Sequence, residues 1–483
     1  MVRLTNFIGG RATPTRSGGR LDVVEPATGE VWAQAPDSTP DDVAGAVDAA
    51  RDAFPGWASA TAKARSGVLF RLADLLEARL AEFARAESKD TGKPLSLATA
   101  LDIPRAVENL RFFGGLIRHT RSEFHPSSET EFNYTLRQPR GVAGLIAPWN
   151  LPLYLLTWKI APAIATGNTC VCKPSEVTPV TAWMLGELCS GAGVPPGVIN
   201  IVHGRGDTAG RAIVEHPGVP TISFTGSTGV GRWIAERAGK DLKRVSLELG
   251  GKNPFVVYAD ADLELAAQTA VRAVFLNQGQ ICLCASRLLV HESIADEFTD
   301  RLVGLVRGLV IGDPEDPGTG HGAQSSAGHL EKIESCLATA RELGAEILTG
   351  GGRVDPSDLP ARCRGGYFFQ PTLLAGLPNE CAVIQEEIFG PVATIQRFGD
   401  DDEAIALANS TPYGLAASIW TRDLARAHLA GARIQAGVVW VNCWMSRDLR
   451  TPFGGAKQSG VGREGGESAI GFFTEPKNIC VRL

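Results

Sequence analysis

GVAGLIAPWNLPLYLLTWKIAPAIATGNTCVCKPSE, residues 141–176, is the stretch that decides the fold. Residues 142–147 are a short apolar run with the composition of a strand buried on both faces. Pro152 opens an apolar helix that runs to residue 166, and residues 169–172 are a second strand. A strand, a helix and a strand within about 30 residues make a βαβ unit, whose two strands must run parallel.

Toward the C-terminus the alternation continues. Strands at 198–202, 221–225 and 244–248 are separated by helices over 178–192, 208–215 and 230–238. Five short apolar strands joined by helices predict a parallel sheet with right-handed crossovers, in form a dinucleotide-binding domain. A second α/β series follows, with strands at 254–258, 287–290, 372–374, 392–398, 417–420 and 438–442 and helices over 262–277, 295–309 and 330–343. Toward the N-terminus the period changes to helical. Val43, Ala46, Val47 and Ala50 share one face, as do Leu69, Leu72, Leu76 and Leu80 in a helix over 65–90, and a third helix covers 103–119. Phe132-Asn133-Tyr134-Thr135-Leu136 and the tail 478–483 are β-prone and predict strands outside the helical block. The fold class is α/β.

A chain of 483 residues is too long for one compact core. Its 44% hydrophobic and 21% charged residues are ordinary for a globular protein. The net charge of −6 supplies no basic excess, so neither nucleic acid nor an anionic membrane is an expected partner. Ten cysteines in this length do not form a disulfide framework and imply reduced thiols. No apolar leader opens the chain and no apolar run has the length of a membrane span, so a cytoplasmic location is expected.

Four features carry chemistry. Cys282 follows Gly279-Gln280-Ile281, and Gly279 is expected to break the helix so that the thiol turns toward a cleft. A buried structural cysteine is the competing reading. Cys170/Cys172 and Cys282/Cys284 lack metal-site spacing and a nearby His, so no metal is expected. Glu248 ends an apolar strand before Gly250-Gly251; an apolar setting raises a carboxyl pKa toward general-base work, whereas a solvated strand end does not. Gly226-Ser227-Thr228-Gly229-Val230-Gly231 joins a strand to a helix, where backbone N–H groups suit a pyrophosphate, although its spacing is not G-x-G-x-x-G. Pro148-Trp149-Asn150 and Lys173-Pro174-Ser175-Glu176 stand at C-terminal ends of parallel strands, where open α/β sheets bind ligands.

In this order, and with Glu386-Glu387-Ile388-Phe389-Gly390-Pro391 and Pro452-Phe453-Gly454-Gly455, these motifs resemble the aldehyde dehydrogenase superfamily from about residue 20 to the C-terminus. The resemblance implies an NAD-binding domain over 1–123 and 141–249, with a parallel sheet lacking the usual fingerprint. It further implies an α/β catalytic domain over 250–440, a β oligomerisation arm over 124–140 and 470–483, and a return segment over 441–469. It implies Cys282 as nucleophile, Glu248 as general base and Asn150 as oxyanion donor. Trp149, Lys173, Ser175, Glu176, Gly206, Gly226, Ser227, Leu249, Glu387 and Phe389 would hold NAD. Glu176 beside the ribose disfavours a 2′-phosphate, and hence NADP. A homodimer or homotetramer is implied.

Residues 444–453 carry Arg447 and Arg450 beside Phe453, and Arg105 lies in the helical block. With the tail from Thr474 to Val481, these segments resemble the branch that oxidises 2-hydroxymuconic and 2-aminomuconic semialdehydes, whose substrates carry a carboxylate opposite the aldehyde. Arg105 and Arg447 are then the expected carboxylate partners, with Arg450 behind them and Phe453 lining the tunnel. An aliphatic semialdehyde, betaine aldehyde or an aromatic aldehyde is the alternative substrate. A CoA-acylating enzyme is disfavoured by Glu248, and an NAD-binding structural protein by the joint presence of Cys282, Glu248 and Asn150.

Overall fold

The computed structural model describes residues 1–483 and contains two large sheets. In the first, five strands run parallel in the spatial order Arg244–Glu248, Thr221–Thr225, Val142–Ile146, Thr169–Lys173, Ile199–Ile201. The chain moves outward one way from Val142–Ile146, then returns to build the other side. The strand order therefore reverses between Val142–Ile146 and Thr221–Thr225, and a ligand crevice belongs at their C-terminal ends. Pro148-Trp149-Asn150 follows one of these strands and Gly226-Ser227 the other.

The second sheet has the order Glu346–Thr349, Thr372–Ala375, Val392–Phe398, Ala285–His291, Asn253–Val257, Ala416–Trp420, Val438–Val441, parallel except for its first strand. Only Leu249-Gly250-Gly251-Lys252 separates the strand ending at Glu248 from the strand starting at Asn253. This short link sets C-terminal strand ends of the first sheet beside N-terminal strand ends of the second. Cys282 lies just before Ala285–His291, and Glu387 and Phe389 just before Val392–Phe398. Both sheets thus deliver polar residues to one junction.

Helices Pro40–Ser59, Ala62–Ala78, Leu80–Thr91 and Ile103–Leu116 form the N-terminal block. The first is opened by Thr39 and Asp42, each side chain accepting from the other's backbone N–H. The helix expected over 65–90 breaks at Arg79, whose N–H turns back to the Leu76 carbonyl and whose guanidinium is drawn to Glu82 and Glu187. Strands Asn6–Ile8 and Arg11–Thr13, not anticipated, extend the first sheet. They are too short for a period, and their pairing is tertiary: Phe7 pairs with Ile201, and Asn6 accepts the His203 N–H at 2.9 Å. A three-stranded ribbon of Phe124–Ser128, Glu131–Pro139 and Thr474–Arg482 is mostly exposed. Its last strand begins only at Thr474, because Ile470, Phe472 and Phe473 lie in helix Gly466–Phe473 and pack into the main core. No helix is long and apolar enough to cross a membrane.

Candidate active site

Helix Leu263–Phe275 ends earlier than the period suggests. Asn277, Gln278 and Gly279 follow with φ of 52°, 56° and 73°, so the turn begins two residues before the glycine. Asn and Gln enter this left-handed region because their amides are recruited. Asn277 Nδ2 donates to the carbonyls of Asn150 (3.1 Å) and Gln280 (3.2 Å), and Gln278 Nε2 to that of Ala323 (2.8 Å). At Gly279 a Cβ would strike the Gly390 carbonyl. Asn253 completes the loop: its Nδ2 donates to the carbonyls of Cys282 (2.7 Å) and Cys284 (2.9 Å).

The Cys282 thiol opens into a cleft. Asn150, Trp149, Gly226, Ser227, Leu249, Glu387 and Phe389 line the same cleft. Asn150 is 3% exposed, and its Nδ2 donates one hydrogen to the Gln280 carbonyl at 2.8 Å, leaving the other. Burial first, then the Glu248 and Glu387 carboxylates, push the Cys282 thiol up to about 12, while Arg447 favours the thiolate. The resting sulfur is therefore protonated.

Glu248 is 4% exposed, and neither carboxyl oxygen has a hydrogen-bond partner. Burial, then repulsion from Glu464, raise its pKa well above the ordinary value, against the pull of Lys159, Arg447 and Arg463. Behind it Lys159 Nζ donates to Ser223 Oγ (2.9 Å) and Glu464 Oε1 (3.0 Å). A desolvated carboxyl with no hydrogen bond to stabilise its charge is a strong proton acceptor once ionised.

One end of the cleft fits a dinucleotide. Ser227 caps helix Thr228–Lys240 by accepting the Val230 N–H, and the N–H groups of Thr228 and Gly229 are left without an acceptor, a setting for a phosphate. Lys173, Ser175, Glu176 and Gly206 gather beyond the cleft at the neighbouring strand end. Lys173 Nζ stands 2.7 Å from Glu176, whose other oxygen accepts the Gly206 N–H at 3.0 Å. Glu387 Oε1 accepts the Gly251 N–H at 2.9 Å, and a Cβ at Gly250 would collide with the same carboxylate. Phe389 (φ 63°) stands edge-on to Trp149, with ring centroids 5.3 Å apart. The sequence reading missed His329 and Lys332, which also line the cleft from one face of helix Ala327–Glu342. His329 Nε2 donates to the Phe389 carbonyl at 2.7 Å, and burial pulls its pKa down to about 4. Their spacing of three along a helix was the available signal.

On the opposite side of the thiol, Tyr154, Trp440 and Phe453 make an apolar wall against which Cys282, Trp444 and Met445 pack. Arg447 caps it. Its Cζ lies 3.8 Å from the Phe453 centroid and 5.5 Å from that of Trp158, and Nη1 donates to the Tyr154 hydroxyl at 3.2 Å. Arg105 sits over the same tyrosine, 5.8 Å from its centroid. Neither arginine has an acidic partner, whereas Arg450 is held by Asp448 at 2.5 Å. Tyr154, the residue joining the two arginines, was not singled out from sequence.

The sequence profile described as the aldehyde dehydrogenase family matches residues 13–479. The chain belongs to the aldehyde dehydrogenase family. Among aldehyde dehydrogenases, it is 50% identical over 480 residues to the 2-aminomuconic semialdehyde dehydrogenase of Danio rerio, covering 99% of this chain and 98% of that one. It is 47% identical to the 2-hydroxymuconic semialdehyde dehydrogenase of Pseudomonas sp. strain CF600, covering 100% of both chains. The crystal structure of PnpE from Pseudomonas sp. WBC-3 matches with a TM-score of 0.96 at 41% identity, over 100% of this chain and 98% of that one. PnpE has also been solved with nicotinamide adenine dinucleotide. This aldehyde dehydrogenase is thus an α/β oxidoreductase with the family's fold.

Proposed function

We propose that this enzyme oxidises a semialdehyde bearing a carboxylate at its far end, of the 2-aminomuconic or 2-hydroxymuconic kind, to the dicarboxylic acid with NAD⁺. The observation that carries the substrate class is the pair Arg105 and Arg447, neither ion-paired and both against Tyr154, which line one cleft separate from the one that holds Cys282 and share it with Glu108 and Asp448. A planar guanidinium that keeps its donors free matches a carboxylate bidentately. The names of the relatives point the same way.

The residues divide the reaction as follows. Cys282 gives up its proton to water in the cleft and through it to bulk solvent, and the thiolate sulfur then attacks the aldehyde carbon to form the thiohemiacetal anion. The free N–H of Asn150 and the Cys282 backbone N–H receive the oxyanion, each such donor being worth about 10²–10³ in rate. Bound NAD⁺ supplies the acceptor for the hydride that leaves this carbon, and Cys282 is then acylated as a thioester. Glu248 takes a proton from water, the hydroxide adds to the thioester carbonyl, and the C–S bond breaks to return Cys282 and release the acid. Trp149, Gly226, Ser227, Leu249 and Phe389 would hold the cofactor along the cleft, with Lys173, Ser175, Glu176 and Gly206 at the adenosine ribose and Glu387 at the nicotinamide ribose. The raised proton affinity of Glu248 favours hydrolysis over transfer to CoA.

The domain reading is 1–123 with 141–249 for NAD, 250–440 for catalysis, 441–469 as the return segment, and 124–140 with 470–483 as an arm, of whose second piece Thr474–Arg482 lies in the exposed ribbon while Ile470, Phe472 and Phe473 pack into the main core. The free edges at Thr474–Arg482 and Val438–Val441 favour pairing with another copy of the chain, hence a homodimer or homotetramer; a cytoplasmic location is part of the same proposal and rests on the reduced thiols that the cysteine content implies.

The test is a kcat/KM panel of muconic-type semialdehydes, aliphatic semialdehydes, betaine aldehyde and benzaldehydes, with NADH formation as readout. Preference for the muconic type is expected. Preference for a neutral or cationic aldehyde contradicts the substrate reading, and a pre-steady-state NADH burst retained in Cys282→Ala contradicts the chemistry.

A further inference from the structure

The main-chain carbonyl of Asn150 is gripped from two sides. From the N-terminal block comes Lys93 Nζ, which donates to it at 3.0 Å and is ion-paired with Asp102. Both side chains are fully buried. From the nucleophile loop comes Asn277, whose amide spends one hydrogen on the Asn150 carbonyl (3.1 Å) and one on the Gln280 carbonyl (3.2 Å). The Asn150 side chain donates to that same Gln280 carbonyl at 2.8 Å. A single amide therefore ties the backbone of the oxyanion donor to the backbone two residues before the nucleophile.

Neither device is accounted for by folding alone. A buried ion pair contributes little net stability compared with apolar side chains of similar volume. Asn277 also holds a left-handed conformation next to another non-glycine residue in that region, a strained arrangement that must be imposed by its surroundings. What the two share is their target. Lys93 sets the position of Asn150, at the end of a strand of the first sheet, relative to the N-terminal helical block, and Asn277 sets it relative to Cys282. Glu87, also fully buried, accepts the Leu153 N–H at 3.3 Å and anchors the following turn.

We propose that Lys93 and Asn277 are positioning residues for oxyanion stabilisation: they fix Asn150 at the junction of the two sheets so that its free N–H and the Cys282 N–H converge on one oxygen. This rests on the reading of Asn150 as an oxyanion donor. The gain lies in geometry, since a misplacement of about 1 Å at a reacting centre costs on the order of 10² in rate.

The experiment is a double-mutant cycle on the rate of the NADH burst. Asn277→Gly removes the amide while keeping the left-handed backbone relaxed. Lys93→Met with Asp102→Leu replaces the ion pair without leaving a lone charge. Each is made alone and with Asn150→Ala, and NAD binding and aldehyde KM are measured alongside. Expected are burst rates lower by about 10- to 100-fold with NAD binding and KM unchanged, and almost no further loss when the same changes are added to Asn150→Ala. Full multiplicative losses in that background overturn the proposal, because they mean the residues act independently of Asn150. So does an unchanged burst in Asn277→Gly or Lys93→Met/Asp102→Leu. Loss of NAD binding together with the burst shows a general structural role and overturns it as well. An unchanged burst in Asn150→Ala instead removes the oxyanion reading itself.

Discussion

Replacing Glu248 with Gln separates the roles of its carboxyl, because neither oxygen makes a hydrogen bond that the change would remove. The base is needed for the water step and not for attack by sulfur. Glu248→Gln is therefore expected to keep a burst of about one NADH per active site while steady-state turnover falls about 10²- to 10⁴-fold. Stability should move the opposite way. The folded carboxyl holds its proton well above the ordinary value of 4.5, so the unfolded chain releases a proton that the folded chain keeps. Folded wild-type protein consequently loses about 1.4 kcal/mol relative to the variant for each pH unit between 4.5 and the raised value. With an unfolding entropy near 2 cal/mol/K per residue, that is a shift of about 1–2 °C in Tm per pH unit for a chain of this size. Differential scanning fluorimetry from pH 5 upward should show the variant melting above wild type by a margin that widens with pH. Normal turnover in the variant, or a margin independent of pH, would refute the reasoning.

Arg447→Met keeps an apolar side chain against Phe453 but removes the charge; kcat/KM should fall about 10- to 100-fold for carboxylate-bearing semialdehydes and little for benzaldehyde, and equal losses for both count against a carboxylate site. Arg450→Met, whose parent guanidinium is engaged by Asp448, should change neither. Because the Cys282 thiol is pushed up to about 12, alkylation of the free enzyme by iodoacetamide should accelerate across pH 6–9 without a plateau, and more slowly in Arg447→Met; a plateau below pH 8 contradicts this. Glu176→Gln should narrow the preference for NAD over NADP in kcat/KM, and an unchanged ratio would exclude charge repulsion as its source.

The parallel sheet was legible because strands buried on both faces read as apolar runs at regular spacing, and strands Thr221–Thr225 and Arg244–Glu248 appear where the pattern put them. What escaped is set by tertiary contacts or by short local signals. Asn6–Ile8 exists because Ile201 offers it an edge, which no local window contains. The end of helix Leu263–Phe275 is fixed by Asn277 and Gln278 reaching Asn150 and Ala323, distant in sequence, so the glycine alone misplaced it. Helices Asp401–Asn409 and Leu424–Arg433 had readable caps in Asp400 and Asp423, but they are short and bury mainly small side chains, Ala404 and Ala408 in the first and Ala427 and Ala430 in the second. At the site, residues within strand-end motifs were found, whereas His329 and Lys332 on an ordinary helix were not. Tyr154 was hidden inside an apolar helix where an aromatic residue reads as core.

The environment of Glu248 shows why a base of this strength can be built from main chain. At Gly454, with φ 155°, a Cβ would lie 2.7 Å from Glu248 Oε1, and Gly460 pairs with Glu248 across an antiparallel strand contact. The return segment thus covers the carboxyl with backbone that bears no side chain, while the Phe453 and Glu464 N–H groups are spent on each other's carbonyls. Neither carboxyl oxygen finds a hydrogen-bond donor in the protein, and Lys159, one of the three cations that draw on its charge, is held by Glu464 and Ser223. The same glycines that admit the return segment are therefore what raise the proton affinity of Glu248. A side chain at 454 would disturb catalysis by opening this cover even if it touched neither substrate nor cofactor.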